Sequence, residues 1–316
     1  MTQKKIIGGV VLGLAILSLV VGVLVKGRDI GPGTKGPLKA GSVGMVGIIE
    51  INGMIVGDSS AQGLFGGGVA GSQTIMDQLR QVSDNPGIKA IVLRINSPGG
   101  TPAASQEITD EINRLKKSGI SVVTSMGDVA ASGAYWIASS SDKIVANPGT
   151  ITGSIGVIMQ AQNYQGLMDK LGVSSNTIKS GSYKDMGSPE RAMTEEERQI
   201  FQSMVDDTYN QFVETVAISR KISPDAVRAL NGRVLTGRQA VGAGLVDQTG
   251  NLYEAISLAG EISGLGKDPR TITVGPQKHW WRLFDQIGSA SKITLPTLKE
   301  MEGYYGVLLL CPSVSR

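Results

Sequence analysis

Histidine and cysteine are almost absent from this chain of 316 residues, which contains one of each. His279 is therefore the one imidazole that a Ser-His-Asp triad could use, and a metal site built from several histidines is excluded. Cys311 has no second cysteine with which to form an intramolecular disulfide. We expect neither a metal nor another cofactor.

A strong excess of charge is also lacking. The formal net charge is +3 and the sequence has no dense block of lysine and arginine, so nucleic acid is not expected as a partner. With 41% hydrophobic residues, the chain can bury one substantial core. Its 43 glycines cluster between apolar runs, which predicts many turns.

The first apolar run extends from Ile6 to Val25 without a charged residue, and basic residues flank it on both sides. A run of about 20 apolar residues can cross the hydrocarbon core of a bilayer. We expect residues 1–26 to be a retained transmembrane anchor; a cleaved signal peptide and a buried helix are the alternatives. The lysines before the run favour a cytoplasmic N-terminus, so the remaining chain is expected outside the cytoplasm, attached to the cell membrane by a single pass.

Composition divides the chain beyond this anchor. Residues 27–42 are rich in glycine and proline and predict a flexible linker, residues 43–264 predict the folded domain, and residues 265–316 a C-terminal extension. Residues 57–71 form a glycine-rich segment that suits a mobile flap or a membrane-facing loop. KHWWRLF, residues 278–284, suits a membrane interface, a subunit contact or ordinary core packing.

Strand and helix patterns alternate through the folded domain. The nearly continuous apolar run Lys89–Ile95 predicts a strand buried on both faces, and a helix with Ile108, Ile112 and Leu115 on one face follows it. The strand Ile120–Ser125 completes a βαβ unit. Further strands are predicted at 45–51, 143–146, 152–158 and 175–180, and further helices at 72–84 with Ser72 as the cap, 164–171, 194–221, from 223 and at 251–263. The predicted fold class is α/β with repeated β/α units.

The segment GDVAASGAYW, Gly127–Trp136, places Ser132 among small residues between a predicted strand and a short helix. This is a typical presentation of a nucleophile. With one histidine in the chain, the candidate bases are a carboxylate or a lysine, and Lys184 in GSYKDMGSP is the better candidate by context. A lysine with the ordinary pKa of about 10.4 is neutral in roughly one molecule in 2500 at pH 7, so such a site has to exclude water.

Two more features are needed for acyl transfer. A hydroxyl near the amine could orient it, and Ser154 in TGSIGVI is the candidate. NSPGG, Asn96–Gly100, could supply the Gly100 N–H, which together with the Gly133 N–H would form an oxyanion hole. For NSPGG taken alone, a plain turn is the alternative.

Five motifs between Met45 and Gly264 carry a resemblance to a known family: INSPGG, GDVAASGAYW, ANPGTITGSIGVI, SGSYKDMGSP and LTGRQAVGAGLVD. In this order they resemble the signal peptide peptidase A family of serine proteases and, more distantly, the Clp protease and crotonase-like fold. The resemblance implies that Ser132 is the nucleophile, Lys184 the general base, Ser154 the hydrogen-bond partner of the lysine, and Gly100 with Gly133 the oxyanion hole.

The resemblance also implies an anchored endopeptidase that cleaves remnant signal peptides and other short hydrophobic peptides at the membrane. It implies a homo-oligomeric, octamer-like ring in which serine and lysine come from neighbouring protomers. In related proteins the C-terminus can lie near the active-site groove, which the apolar residues Leu308–Leu310 would suit. Two other functions remain open: a membrane-tethered oligomeric scaffold that binds hydrophobic peptides without cleaving them, and acyl-thioester chemistry on a crotonase-like architecture.

Overall fold

The structure, a computed structural model, describes residues 44–57 and 68–275 together with the backbone of Leu309 and Leu310. The expected anchor, the linker, most of the glycine-rich segment and KHWWRLF lie outside the described residues. Within the described ranges, no helix is both long and apolar enough to cross a membrane.

The strands are short apart from three that form the centre of the domain. In chain order they are β1 (Met45–Asn52), β2 (Met54–Val56), β3 (Val69–Gly71), β4 (Ile88–Ser97), β5 (Gly99–Gly100), β6 (Ser121–Ala131), β7 (Lys143–Ala146), β8 (Ile151–Gly153), β9 (Val234–Thr236), β10 (Gln248–Thr249), β11 (Thr271–Thr273) and β12 (Leu309–Leu310).

Helices alternate with the strands. In chain order they are α1 (Ser72–Ser83), α2 (Pro102–Lys117), α3 (Gly133–Ser139), α4 (Gln165–Leu171), α5 (Glu195–Arg220), α6 (Pro224–Ala229), α7 (Gly237–Gly242) and α8 (Leu252–Ile262).

A parallel sheet in the order β10-β7-β6-β4-β1-β11 forms the centre of the domain. β8 continues beside the last residues of β6, and β9 pairs antiparallel with β8. The central strand β4 is buried along Ala90–Leu93 because helices cover both faces, which is why its sequence is a nearly continuous apolar run. The predicted βαβ unit is confirmed.

Helices pack against both faces of this sheet. On one face, α1 and α2 bury the predicted apolar stripes, including Ile108, Ile112 and Leu115. On the other face, α8 places Ala255 and Ala259 against the small apolar residues of β1, β4 and β6. The layered α/β architecture predicted from the sequence is therefore confirmed for the described residues.

The helices α3 and α5 meet through two aromatic rings. Trp136 stacks on Phe212 with ring centroids 4.5 Å apart and an interplanar angle of 7°. Both side chains are buried, so the contact fixes the short helix that follows Ser132 against the longest helix of the described residues.

A second, small sheet has the order β12-β5-β2-β3. β5 pairs in parallel with β2 on one side, and the backbone of Leu309–Leu310 pairs antiparallel with Gly99–Gly100 on the other. The NSPGG segment is therefore part of a sheet and more than a plain turn.

Three local predictions differ from the structure. Gly71 occupies the N-cap of α1, and the Ser72 hydroxyl instead donates to Glu107 Oε2 at 2.8 Å. The strand predicted at 152–158 ends at Gly153 because Ser154 turns into the left-handed region with φ 51°. Residues 175–180 form no strand; they are exposed along their whole length, and no strand within residues 44–57 and 68–275 lies beside them to pair.

The other helix predictions are close to the observed bounds. The capping box of α5 is present, with the Thr194 hydroxyl accepting from the Glu197 N–H and the Glu197 carboxylate accepting from the Thr194 N–H. Apart from Glu197, the buried residues of α5 all lie in its second half.

Candidate active site

Ser132 lies between the end of β6 and the start of α3 in a sharp turn of the backbone. Its backbone dihedral angles are φ 56° and ψ −126°, a conformation that residues other than glycine rarely adopt. The Ser132 N–H donates to the Gly153 carbonyl at 2.9 Å, and its carbonyl accepts from the Trp136 N–H at 2.9 Å. A strained residue on a strand-to-helix turn is how several hydrolases present a nucleophile.

The hydroxyl of Ser132 is buried and has no hydrogen-bond partner among the described residues. A buried hydroxyl without a partner costs about 1–3 kcal/mol, so native proteins retain few of them without a reason. Here the strained backbone and the unpaired hydroxyl occur in the same residue. The serine is therefore free to interact with a group that the described residues do not supply.

Gly100 and Gly133 lie side by side next to this serine. A Cβ atom on Gly133 would lie 3.1 Å from Gly100 N and 2.6 Å from Ser105 Oγ. A Cβ atom on Gly100 would lie 1.8 Å from the Ile55 carbonyl oxygen, so only glycine fits between β2 and this site. The structure thus brings the two predicted oxyanion-hole residues together.

The direction of the Gly100 N–H follows from the pairing of its neighbour. Thr101 N–H donates to the Ile55 carbonyl at 2.9 Å, towards β2. Successive N–H groups of a strand point to opposite sides, so the Gly100 N–H faces away from β2 and towards the side where Leu309–Leu310 pairs. A carbonyl group of an extended peptide bound on that side can accept a hydrogen bond from this N–H.

Ser154 is also near Ser132. β8 runs parallel to the last residues of β6 with Ala131 opposite Gly153, and the two serines are the residues that follow this pair. Ser154 is buried and its φ is 51°. The structure therefore brings together Ser132, Gly133, Gly100 and Ser154.

Lys184 lies elsewhere, in a segment that we call the arm, residues 160–193. All residues from 160 to 184 are exposed except Met168, which is half-buried. Because the Ser132 hydroxyl has no partner, Lys184 Nζ is not hydrogen-bonded to it within one chain. Among the described residues, the Lys184 side chain makes no hydrogen bond or ion pair. The serine and the lysine are not brought together by a single chain.

A cluster of ion pairs holds the turn that carries Lys184. Arg191 Nε and Nη2 donate to the two carboxylate oxygens of Asp185 at 3.0 and 2.9 Å, and Nη1 donates to Glu197 Oε2 at 2.9 Å. Lys179 Nζ also donates to Asp185 Oδ1, at 2.6 Å. The hydrogen bonds from Arg191 hold the pKa of the Asp185 carboxyl well below its usual range and lower the pKa of Glu197 to about 2.

Three residues at or near these sites were missed by the sequence analysis. Ser97 accepts the Gly99 N–H at 3.1 Å, and Ser105 Oγ donates to the Thr101 carbonyl at 3.0 Å, so both fix the backbone around Gly100. Arg191 links the lysine turn to α5. The serine two residues before Gly99 was a usable signal for a side chain that bonds the following turn. Asp185 and Arg191 lie in an irregular segment and Glu197 at the start of a helix, so neither a helical nor a strand pattern predicts their contact.

Two family models match this chain. The model for peptidase family S49 matches residues 114–265, and the model for Clp protease matches residues 68–152. Residues 114–265 are therefore similar to peptidase family S49. The S49 segment contains Ser132, Gly133, Ser154 and Lys184, and the Clp protease match contains Gly100.

Individual relatives agree with this family. A protein of Enterococcus faecium provisionally described as signal peptide peptidase SppA is 42% identical over 209 residues, which cover 66% of this chain and 60% of that protein. A Synechocystis protein provisionally described as a protease is 46% identical over 180 residues, covering 57% of this chain and 65% of that protein. Protease 4 of Salmonella typhi is 36% identical over 223 residues, covering 70% of this chain and 35% of that protein. The chain thus spans less than two thirds of the length of each relative.

Proposed function

We propose that this chain is a membrane-anchored serine endopeptidase that cleaves remnant signal peptides and other short hydrophobic peptides. The observation that carries the proposal is Ser132, whose strained backbone presents an unpaired hydroxyl beside Gly100 and Gly133. The family match and the descriptions of the relatives support a peptidase. Neither a binding scaffold nor acyl-thioester chemistry has a comparable observation in its favour.

The chemistry assigns one role to each residue. Ser132 Oγ attacks the peptide carbonyl while its proton passes to the neutral amine of Lys184, and the N–H groups of Gly100 and Gly133 stabilise the oxyanion. The resulting ammonium returns the proton to the departing amine. Lys184 then removes a proton from water, which hydrolyses the acyl-enzyme and releases the serine. Ser154 orients the amine.

We place the lysine in the site of a neighbouring protomer. The Lys184 turn is fixed to Glu197 at the start of α5, whereas α3, which follows Ser132, contacts α5 at Phe212. Fifteen residues of helix separate these two points, which corresponds to about 22 Å along the axis. A lysine side chain does not bridge such a distance, so the exposed arm has to reach another copy of the chain.

The arm also has the apolar surface that such a contact needs. Leu167, Leu171, Val173 and Ile178 are between 52% and 100% exposed. Several large apolar side chains on one exposed segment indicate a protein interaction site. A homo-oligomer in which each arm covers its neighbour would bury these side chains and enclose Lys184 in a water-poor site. A neutral lysine requires such a site.

The small sheet and the sequence support the proposed substrate class. The backbone of Leu309–Leu310 pairs as an antiparallel strand with Gly99–Gly100, so this edge accepts an extended peptide next to Ser132. Recognition through a sheet edge reads the backbone and is tolerant of sequence. The apolar run Ile6–Val25 would anchor the domain where hydrophobic signal-peptide remnants are released, with the folded part outside the cytoplasm.

The proposal is tested with a fluorophosphonate probe on the full-length chain in detergent, since the probe is attacked by an activated serine. We expect labelling at Ser132, cleavage of a synthetic signal peptide, and loss of both in the Lys184→Ala variant with unchanged thermal stability. Lys170→Ala, a lysine on the same arm, is the matched control and should label like the wild type. An unlabelled wild-type chain, or a fully active Lys184→Ala variant, would refute the assignment.

A further inference from the structure

The two residues that flank Lys184 are both fixed to the first turn of α5. The Tyr183 hydroxyl donates to Glu196, and the Asp185 carboxylate is joined through Arg191 to Glu197. Lys184 itself has no side-chain partner among the described residues. The turn is therefore anchored on both sides of a lysine that is left unpaired.

The carboxylate closest to Lys184 in the chain is fully occupied by other cations. Asp185 Oδ1 accepts from Lys179 and Arg191, and Oδ2 accepts from Arg191. The Asp185 side chain is 13% exposed, so little room remains for water to compete. Arg191 also donates through Nη1 and Nη2 to the carboxylate of Glu197, whose side chain is 3% exposed.

The charged and titratable groups that bond within this turn and to the first turn of α5 are engaged with one another and not with Lys184. They are Lys179, Tyr183, Asp185 and Arg191 from the arm, and Glu196 and Glu197 from the first turn of α5. An opposite charge within about 4–6 Å favours the charged form of an ionisable group. A free Asp185 carboxylate beside Lys184 would therefore stabilise the ammonium and oppose the role of a general base.

We propose that Arg191 is a positioning residue that keeps the Asp185 carboxylate away from Lys184, so that the lysine remains unpaired and able to accept a proton from Ser132. This inference rests on the proposed function, because it concerns the base of that reaction. Lys179 assists from the other side of the same carboxylate.

The test measures the rate of fluorophosphonate labelling against pH for the full-length chain and its variants. In Arg191→Met, the released Asp185 carboxylate pairs with Lys184. The acid limb of the plot of labelling rate against pH should therefore shift to higher pH by about one unit. Labelling on that limb should then be about tenfold slower, with the plateau at high pH unchanged. A lysine turn that had merely lost its structure would instead lower the plateau.

A second substitution separates the two explanations. Asp185→Asn in the Arg191→Met background removes the carboxylate, so we expect the acid limb to return to its wild-type position, although the cluster is further disrupted. Lys179→Met, at a more exposed site, should shift the acid limb in the same direction but by less, and Asp185→Asn should reverse this shift as well. Lys179→Met replaces Arg191→Met in the test if the latter does not fold. Arg228→Met, at the exposed pair with Asp225, is the matched control.

The outcomes distinguish this inference from the proposed function. If labelling requires Lys184 but Arg191→Met and Lys179→Met keep the wild-type acid limb, the role of Arg191 is refuted and the peptidase assignment stands. A shifted limb that Asp185→Asn does not restore also refutes it. If Lys184→Ala labels like the wild type, the proposed function itself fails.

Discussion

Ser132 combines two unfavourable features in one residue, a backbone with positive φ and a buried hydroxyl to which no described residue is hydrogen-bonded. Strain of this kind costs about 1–3 kcal/mol and persists only where the surrounding structure imposes it. Here β6, α3 and the hydrogen bond from Ser132 N–H to Gly153 impose it. The residue is therefore placed at the expense of stability, as is expected of a nucleophile.

This strain predicts a difference between two inactive variants. Ser132→Gly relieves the backbone, whereas Ser132→Ala removes the same hydroxyl and keeps the strain. After the greater flexibility of glycine in the unfolded chain is subtracted, Ser132→Gly should be more stable than Ser132→Ala by about 1 kcal/mol. Denaturant midpoints of the two variants measure this difference; equal midpoints would show that the turn is unstrained.

Gly133 leads to a prediction about the oxyanion hole. In Gly133→Ala, the new Cβ would press on Gly100 N at 3.1 Å and on Ser105 Oγ at 2.6 Å. Displacing one oxyanion donor lowers the rate of acyl transfer by about 10²–10³-fold. We expect a loss of this size in the labelling rate of Ser132, together with a lower melting temperature.

The control for this variant removes one of the two contacts. Adding Ser105→Ala to Gly133→Ala relieves the clash with the hydroxyl but leaves the methyl group against Gly100 N. Stability should then recover in part while the labelling rate stays low. Recovery of the rate would mean that Gly133→Ala acts through Ser105 and not through the oxyanion hole.

The convergence of the site residues was predictable because each of them follows a strand of a parallel arrangement. Ser132 follows β6, Ser154 follows β8 and Gly100 lies just beyond β4, so that local patterns alone place them at one edge. Ser105 and Arg191 could not be found in this way. Their roles arise from contacts between segments, which no periodicity in the sequence encodes.

At the scale of elements, the first turn of α5 has two functions. Glu197 completes the capping box with Thr194 and also receives Arg191 from the arm. Hydrogen bonds from Arg191 and from the Thr194 N–H lower the pKa of Glu197 to about 2. The start of the helix and the turn that carries Lys184 are therefore stabilised by the same carboxylate.

This gives a pH dependence with a defined sign. A carboxyl group whose pKa is lower in the folded state contributes stability that is complete above its unfolded pKa of about 4.3 and is lost as the pH falls. Glu197→Gln keeps the capping box but removes the charge. We expect it to be less stable than the wild type above about pH 4.5, with the difference vanishing as the pH falls towards 2.

Thermal unfolding followed by circular dichroism at several pH values measures this effect. Glu195→Gln, in the same turn, is the control, because Glu195 and Arg198 form an exposed pair at 3.6 Å. Its stability relative to the wild type should be nearly independent of pH. A constant difference for Glu197→Gln over the same range would contradict the ion pair with Arg191.

The arm also shows where sequence patterns fail. The sequence predicts a strand at 175–180, yet Ile178 is fully exposed and no strand of the described residues lies beside it. A strand needs a partner to satisfy its backbone, and the part of the chain that the structure describes offers none to the arm. Apart from Glu197, which accepts from Arg191, the buried residues of α5 likewise lie in its second half, because its first half supports the arm and not the core.

At the scale of the whole molecule, one chain contains every proposed group but does not assemble them. The serine, the two glycines and Ser154 lie together at one edge of the central sheet, and Lys184 lies on an exposed arm, where its side chain bonds to none of the residues that the structure describes. Sequence motifs do not reveal this division, because they record only the order of residues along the chain. The separation of Lys184 from Ser132 follows from the contacts of the arm with α5.

A division of the site between two copies predicts that two inactive variants restore each other. Chains with Ser132→Ala still carry Lys184, and chains with Lys184→Ala still carry Ser132. In an oligomer assembled at random from equal amounts of both, about a quarter of the sites would combine an intact serine with an intact lysine from the neighbour. We therefore expect co-expressed variants with different tags to recover about a quarter of the wild-type cleavage of a signal peptide, whereas each alone is inactive.

The chain that carries the label shows which protomer supplies the serine of an active site. Fluorophosphonate should attach to the Lys184→Ala chains of the mixed oligomer, because these carry the intact serine, and not to their Ser132→Ala partners. Co-expression of Ser132→Ala with a chain carrying both substitutions is the control and should remain inactive. Failure of the mixture to recover activity, although the two chains co-purify, would place both residues in the site of one chain and would require the arm to fold back by about 22 Å.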